Sequence, residues 1–131
     1  TILFSNARVF DGHSADCAEG MHVLVEGDTI REVSDRPPTR NADVTVDVRG
    51  RTLMPGMIDC HIHAYASDVN FKKVDLAGEP YRTAHAARML GHALDCGFTT
   101  VRDIGGGDYS LWRALEDGLI RGPRFLYAGK I

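Results

Sequence analysis

MPGMIDCHIHAY, residues 54–65, is the stretch whose reading decides the fold. Pro55-Gly56 delays a regular strand to about residue 57, and from there one parity is apolar while the other carries Asp59, His61 and His63. Side chains alternate between the faces of a strand, so these three point one way and Cys60 and Ile62 the other. Two residues along a strand span roughly 6.6 Å, and a cation between two imidazoles needs about 2.0–2.1 Å to each nitrogen. Rings leaning towards each other meet that requirement, so His-X-His on a strand is half of a metal site. Asp59 is placed to give the hydrogen bond that fixes a ring tautomer, or to be a further ligand. Two polar residues at a strand end would be the bland alternative. It suits a lone histidine better than Asp-X-His-X-His after an apolar strand. A catalytic site wants at least three protein ligands and an open position, so the rest must come from elsewhere.

Downstream, residues 66–79 read as a polar loop. Ala84, Ala87, Leu90 and Leu94 recur at helical spacing, predicting a helix from about Pro80 to Cys96 with Pro80 in its first turn and Gly97 past its end. FTTVRD (98–103) reads as a buried strand, and IGGGDYS (104–110) as a loop. A second helix is expected over 110–119, with Asp108 or Ser110 as cap, Leu111, Ala114, Leu115 and Leu119 on one side, and Gly122-Pro123 after its end. A third strand follows near 124–128. Strand, helix, strand, helix, strand at this spacing implies parallel strands joined by right-handed crossovers.

Upstream, the runs 2–10, 21–27, 29–33 and 44–48 alternate or are apolar, and turn clusters separate them. They predict a small antiparallel sheet or sandwich. Pro37-Pro38 makes the segment near 35–42 a loop.

Other groups are weaker candidates. Asp103 closes the second parallel strand, where loops of such folds carry chemistry; it is read either as a substrate contact or as a structural carboxylate. Gly105-Gly106-Gly107 matches no phosphate-binding fingerprint and is read as a tight turn that leaves room for a substrate. His85 and His92 suit a solvated helix face, His13 and His22 are given no role, and Trp112 and the tyrosines are read as packing groups.

With 131 residues, 44% hydrophobic and 25% charged, at a formal net charge of −3, the composition is that of an ordinary globular protein. Lys and Arg are scattered, which argues against nucleic acid as a partner. No apolar run is long enough to span a bilayer, and the start lacks the regions of a signal peptide. Cys17, Cys60 and Cys96 are odd in number, far apart and without a CxxC pair, which argues against a disulfide framework and fits a reducing, cytoplasmic setting.

LMPGMIDCHIH (53–63), preceded by NARVFDG (6–12) and VRGRTLMPG (48–56), resembles the opening of the metal-dependent amidohydrolase superfamily. The stretch from Gly97 to Lys130 is similar to its prolidase-like and imidazolonepropionase-related branch. The resemblance implies an α/β chain with an N-terminal β-sandwich part at 1–52 and, from 53 to 131, the beginning of a (β/α)8 TIM-type barrel with strands near 57–63, 98–103 and 124–128. His61 and His63 would then be ligands of the more buried metal, usually Zn2+, with one or two divalent ions in all, and Asp59 would stand behind them. The family's carboxylated lysine, two further histidines and aspartate lie on later strands. Lys130 follows the third strand rather than the fourth and is not that lysine.

A barrel of this kind takes about 250 residues. The chain is therefore read as the N-terminal third of an enzyme, inactive alone, with the remainder of the same barrel missing. The activity implied is hydrolysis of an amide C–N bond in a dipeptide, N-acyl amino acid or cyclic amide. The partner expected is a small-molecule or dipeptide-like substrate, with no nucleic acid and no membrane, and a homo-oligomer is left open. Two alternatives remain: a complete small α+β binding or scaffold module, and a related cyclic-amidine deaminase.

Overall fold

The computed structural model describes residues 1–129; Lys130 lies outside them. The chain divides into two compact units, Thr1–Pro55 and Gly56–Ile131.

The first unit holds β1 (Ile2–Val9), β2 (Ala18–Glu26), β3 (Thr29–Ser34), β4 (Val44–Asp47) and β5 (Thr52–Leu53) in one sheet of order β3-β2-β1-β4, with β5 also on β1. The Gly27-Asp28 loop closes the β2–β3 hairpin, whose last pair is Glu26 with Thr29. The sheet is mixed, not antiparallel as expected: β4 and β5 both run parallel to β1. The reason is the long Pro37-Pro38 connection. It carries the chain from β3 at one edge across to the far side of β1, and such a crossover is what a parallel pair needs. β1 serves both partners by bending. Ile2–Ser5 pair with β4 and Arg8–Val9 with β5, while Asn6 between them takes φ 54°. The described residues of this unit form one layer; they do not supply the second sheet of a sandwich.

In the second unit β6 (Met57–Ile62), β7 (Phe98–Asp103) and β8 (Arg124–Tyr127) form a parallel sheet in sequential order. Between them lie α1 (Phe71–Leu76), α2 (Glu79–Asp95) and α3 (Tyr109–Glu116). α1 falls inside the expected polar loop. Asn70 caps it by accepting the Lys72 amide, and its Val74 is buried. Gly97 stands just past α2 at φ 92°, a left-handed conformation that terminates helices and suits glycine. α2 buries Ala86 and Leu90, whereas Ala84 is exposed, so its inward face is rotated from the expected stripe. α3 ends at Glu116, three residues early, and Leu119 beyond it is exposed.

The core of this unit is Ala64, Ala86, Leu90, Val101, Leu111 and Phe125. Trp112 and Tyr65 pack against it, as expected of packing groups; Tyr81 and Tyr109 do not and are 63% and 56% exposed. The three cysteines are unpaired. No described helix is long and apolar enough to cross a membrane.

Candidate metal centre

His61 is the penultimate residue of β6 and His63 follows its last residue, so both stand at the C-terminal end of the parallel sheet. Ile62 between them packs against the core. That anchoring fixes the parity: with Ile62 turned inward, its two neighbours share the other face. The two imidazole centroids lie 5.5 Å apart with ring planes at 80°.

This separation can be tested against ligation. With a bond of about 2.0–2.1 Å, and a ring nitrogen roughly 1.2 Å from its centroid, each centroid stands about 3.2 Å from the ion; at a tetrahedral angle two such rings are roughly 5.2 Å apart. The observed spacing fits a shared cation with little movement. The hydrogen bonding fits as well. His63 Nδ1 lies 3.0 Å from the Gly105 carbonyl oxygen. A carbonyl only accepts, so Nδ1 carries the proton and Nε2 presents its lone pair. Among the described residues no third His, Cys, Asp or Glu joins the pair, so this chain brings two ligands together and not three.

Asp59 shares the strand but does not hold a ring. Its Oδ1 accepts the His61 backbone amide at 3.0 Å, a local bond that shapes the strand end. The ring-fixing partner at His63 is the Gly105 carbonyl instead. No sequence signal points to it, because it is a backbone atom on another strand's loop.

Asp103, one of whose two readings was a substrate contact, is 0% exposed. Oδ2 accepts the Ala64 amide at 2.6 Å, and Oδ1 accepts those of Gly105 and Gly107 at 2.8 and 3.1 Å. It is a structural carboxylate: burial shuts it off from a substrate, and three amides occupy its oxygens. The glycine turn is therefore closed around a side chain of its own chain. Gly107 is required there, because a Cβ on it would lie 2.8 Å from Asp103 Cγ and 2.7 Å from Phe125 Cζ.

A cleft beside His63 is lined by Ala66, Ser67, Asp68 and Val69. Tyr65 lies next to the glycine turn, and burial first, then the charge of Asp108, pushes its phenol above the usual tyrosine value. His92 is exposed on α2 as expected of a solvated face, while His85 is half-buried, its Nδ1 without a partner among the described residues.

Comparison with known proteins identifies the family. The Amidohydrolase family model matches residues 52–131, more than half of the chain, and the chain belongs to that family. Over 98% of its length it superposes on an amidohydrolase crystal structure at 39% identity and a TM-score of 0.90, covering 31% of that protein. It superposes equally widely on a prolidase complexed with N-methylphosphonate-L-proline, at 38% identity and a TM-score of 0.88, covering 32% of it. A 5-methylthioadenosine/S-adenosylhomocysteine deaminase from Caldanaerobacter subterraneus subsp. tengcongensis is 32% identical over 75 residues, 52% of this chain and 17% of that protein. The chain thus spans about a third or less of the proteins it resembles. It has the mixed α/β architecture of amidohydrolase structures.

Proposed function

We propose that this chain carries the first two metal ligands, His61 and His63, of a hydrolase that cleaves an amide C–N bond. The observation that carries the reading is the pair of imidazoles at ligating separation, one with its tautomer set by the Gly105 carbonyl, at the C-terminal end of a parallel sheet. Active sites of (β/α)8 barrels are built at that end, and we assign residues 53–131 to the start of such a barrel, with 1–52 as part of an N-terminal β-sandwich. The open edges of β6 and β8 are then closed by further strands of the same barrel, which removes the unpaired ladders.

One or two divalent ions, zinc in this reading, supply Lewis acidity and lower the pKa of water near the scissile carbonyl. The chain's own part is to present two neighbouring imidazoles, with the ring direction of His63 held. Asp59 sets the backbone at His61, and the Gly105 carbonyl holds the His63 ring. The cleft beside His63, with Asp68 in its wall, is where a small or dipeptide-like substrate approaches. Likeness to the prolidase structure favours a dipeptide or N-acyl amino acid. A cyclic-amidine deaminase is the second reading, supported by the deaminase relative, and it uses the same two ligands.

The test is His61→Ala with His63→Ala in the full-length protein. Bound metal, measured by elemental analysis, and hydrolysis of dipeptides should both be lost. Undiminished metal content and turnover would sink the assignment.

A further inference from the structure

We propose that Asp103 is a positioning residue for His63, setting through the Gly105–Gly107 turn the tautomer and direction in which that imidazole meets a cation. The inference rests on the metal-site reading above and adds to it a residue that touches neither metal nor substrate.

A carboxylate 0% exposed is tolerated only when its charge is hydrogen-bonded. Asp103 meets that condition with backbone amides alone, and the choice of amides is informative. Ala64 N, at 2.6 Å from Oδ2, belongs to the peptide that leaves His63. Gly105 N, at 2.8 Å from Oδ1, belongs to the residue whose carbonyl receives His63 Nδ1–H. One side chain thus holds His63 from two sides, by the peptide after it and by the acceptor of its ring. The Gly107 amide on the same Oδ1 closes the turn, and the missing Cβ lets that turn come down onto the carboxylate.

Only a carboxylate satisfies both sides. Asparagine has one acceptor oxygen and an NH2 group. If its oxygen takes Gly105 and Gly107, its NH2 faces the Ala64 N–H; if it takes Ala64, the turn loses its acceptor. Either arrangement leaves a buried donor unmet and frees one of the two holds on His63.

The experiment uses the full-length protein, stripped of metal and labelled with 15N-histidine. Long-range 1H–15N spectra assign the His63 tautomer, and Zn2+ affinity is read by competition with a chromophoric chelator. The parent should show the proton on Nδ1; a parent carrying it on Nε2 overturns the proposal whatever any variant does. Asp103→Asn should give mixed tautomers at His63 and bind Zn2+ about 10- to 100-fold more weakly, the range seen when the partner of a ligating side chain is removed. A folded Asp103→Asn with the parent's tautomer and Zn2+ affinity overturns it too. A role in general stability alone would lower the melting point without moving the tautomer. His63→Ala separates the two claims. If it leaves Zn2+ affinity unchanged, the metal site itself is refuted; if it weakens binding while Asp103→Asn does not, only the positioning role falls.

Discussion

Gly107→Ala should destabilise the protein by about 2–4 kcal/mol. The added Cβ would sit 2.7 Å from Phe125 Cζ and 2.8 Å from Asp103 Cγ. Carbon atoms in contact rest about 3.5–4.0 Å apart, so both neighbours must retreat by roughly 1 Å. Phe125 is 1% exposed and part of the core, so its retreat presses on packed neighbours. Forcing it costs about 1–3 kcal/mol, the usual toll of overpacking. As Asp103 yields, the 3.1 Å bond from the Gly107 amide is lost, and a hydrogen bond to a charged group is worth about 1.5–3 kcal/mol. A small shift of the turn shares the strain between the two contacts, so the costs combine to less than their sum. Urea unfolding of parent and variant reads the difference directly. A variant within about 0.5 kcal/mol of the parent, the range of a neutral surface change, would refute the close approach of this turn to Asp103.

Gly91→Ala provides the opposite sign. Its Cβ would meet only the Arg121 carbonyl oxygen at 3.5 Å, so replacing an interior helical glycine should stabilise by about 0.5–1 kcal/mol; a loss in urea would contradict the packing described for α2. Asp108→Ala removes the cap that accepts the Leu111 amide at 3.0 Å and should cost about 1 kcal/mol, with an unchanged urea midpoint counting against it. The same substitution should lower the Tyr65 pKa towards 10.0, since the Asp108 charge is one cause of its rise. Burial favours the neutral Tyr65 phenol in the folded state, so its contribution to stability is complete below pH 10.0 and is lost as pH rises through the raised value. Ultraviolet titration of parent against Tyr65→Phe checks this, and a Tyr65 signal that ionises at or below pH 10.0 would contradict it.

The parts of the fold set by local chemistry were legible in the sequence. Alternation located β6, and Gly97 and a cap at Asp108 or Ser110 marked helix ends, of which the structure uses Asp108, because parity and capping act within a few residues. Where many alternatives look alike locally, the reading slipped. α2 is rich in alanine on several sides, so periodicity named its presence but not its inward face, and Ala84 proved exposed. α1 is only six residues long, with Val74 buried among those described, too short to show a period. The parallel pairing of β4 with β1 depends on where a nine-residue connection lands, which no window of sequence records. The candidate site divides the same way. His61 and His63 declared themselves by spacing; the partner of His63 is a main-chain oxygen, and the real occupation of Asp103 is with three main-chain amides. Residue identity carries no information about which peptide groups will face a given side chain.

The hydrogen bonds linking the strand ends bear on where chain length can vary. Ile104 N donates to the Ile62 carbonyl, Ala128 N to that of Asp103, and Gly106 N to that of Gly129. Together with the Asp103 carboxylate they lash the three strand tips into one piece. An insertion anywhere from Asp103 to Gly107 would shift donors out of step with acceptors on both neighbouring segments at once, so this turn is closed to length change. Among the described residues the segment from Ala66 to Val69, which walls the cleft beside His63, makes only local hydrogen bonds and none across the strand tips, so a change of length there disturbs less. Variation in chain length is thus expected in that wall of the cleft, while the turn behind it keeps its length.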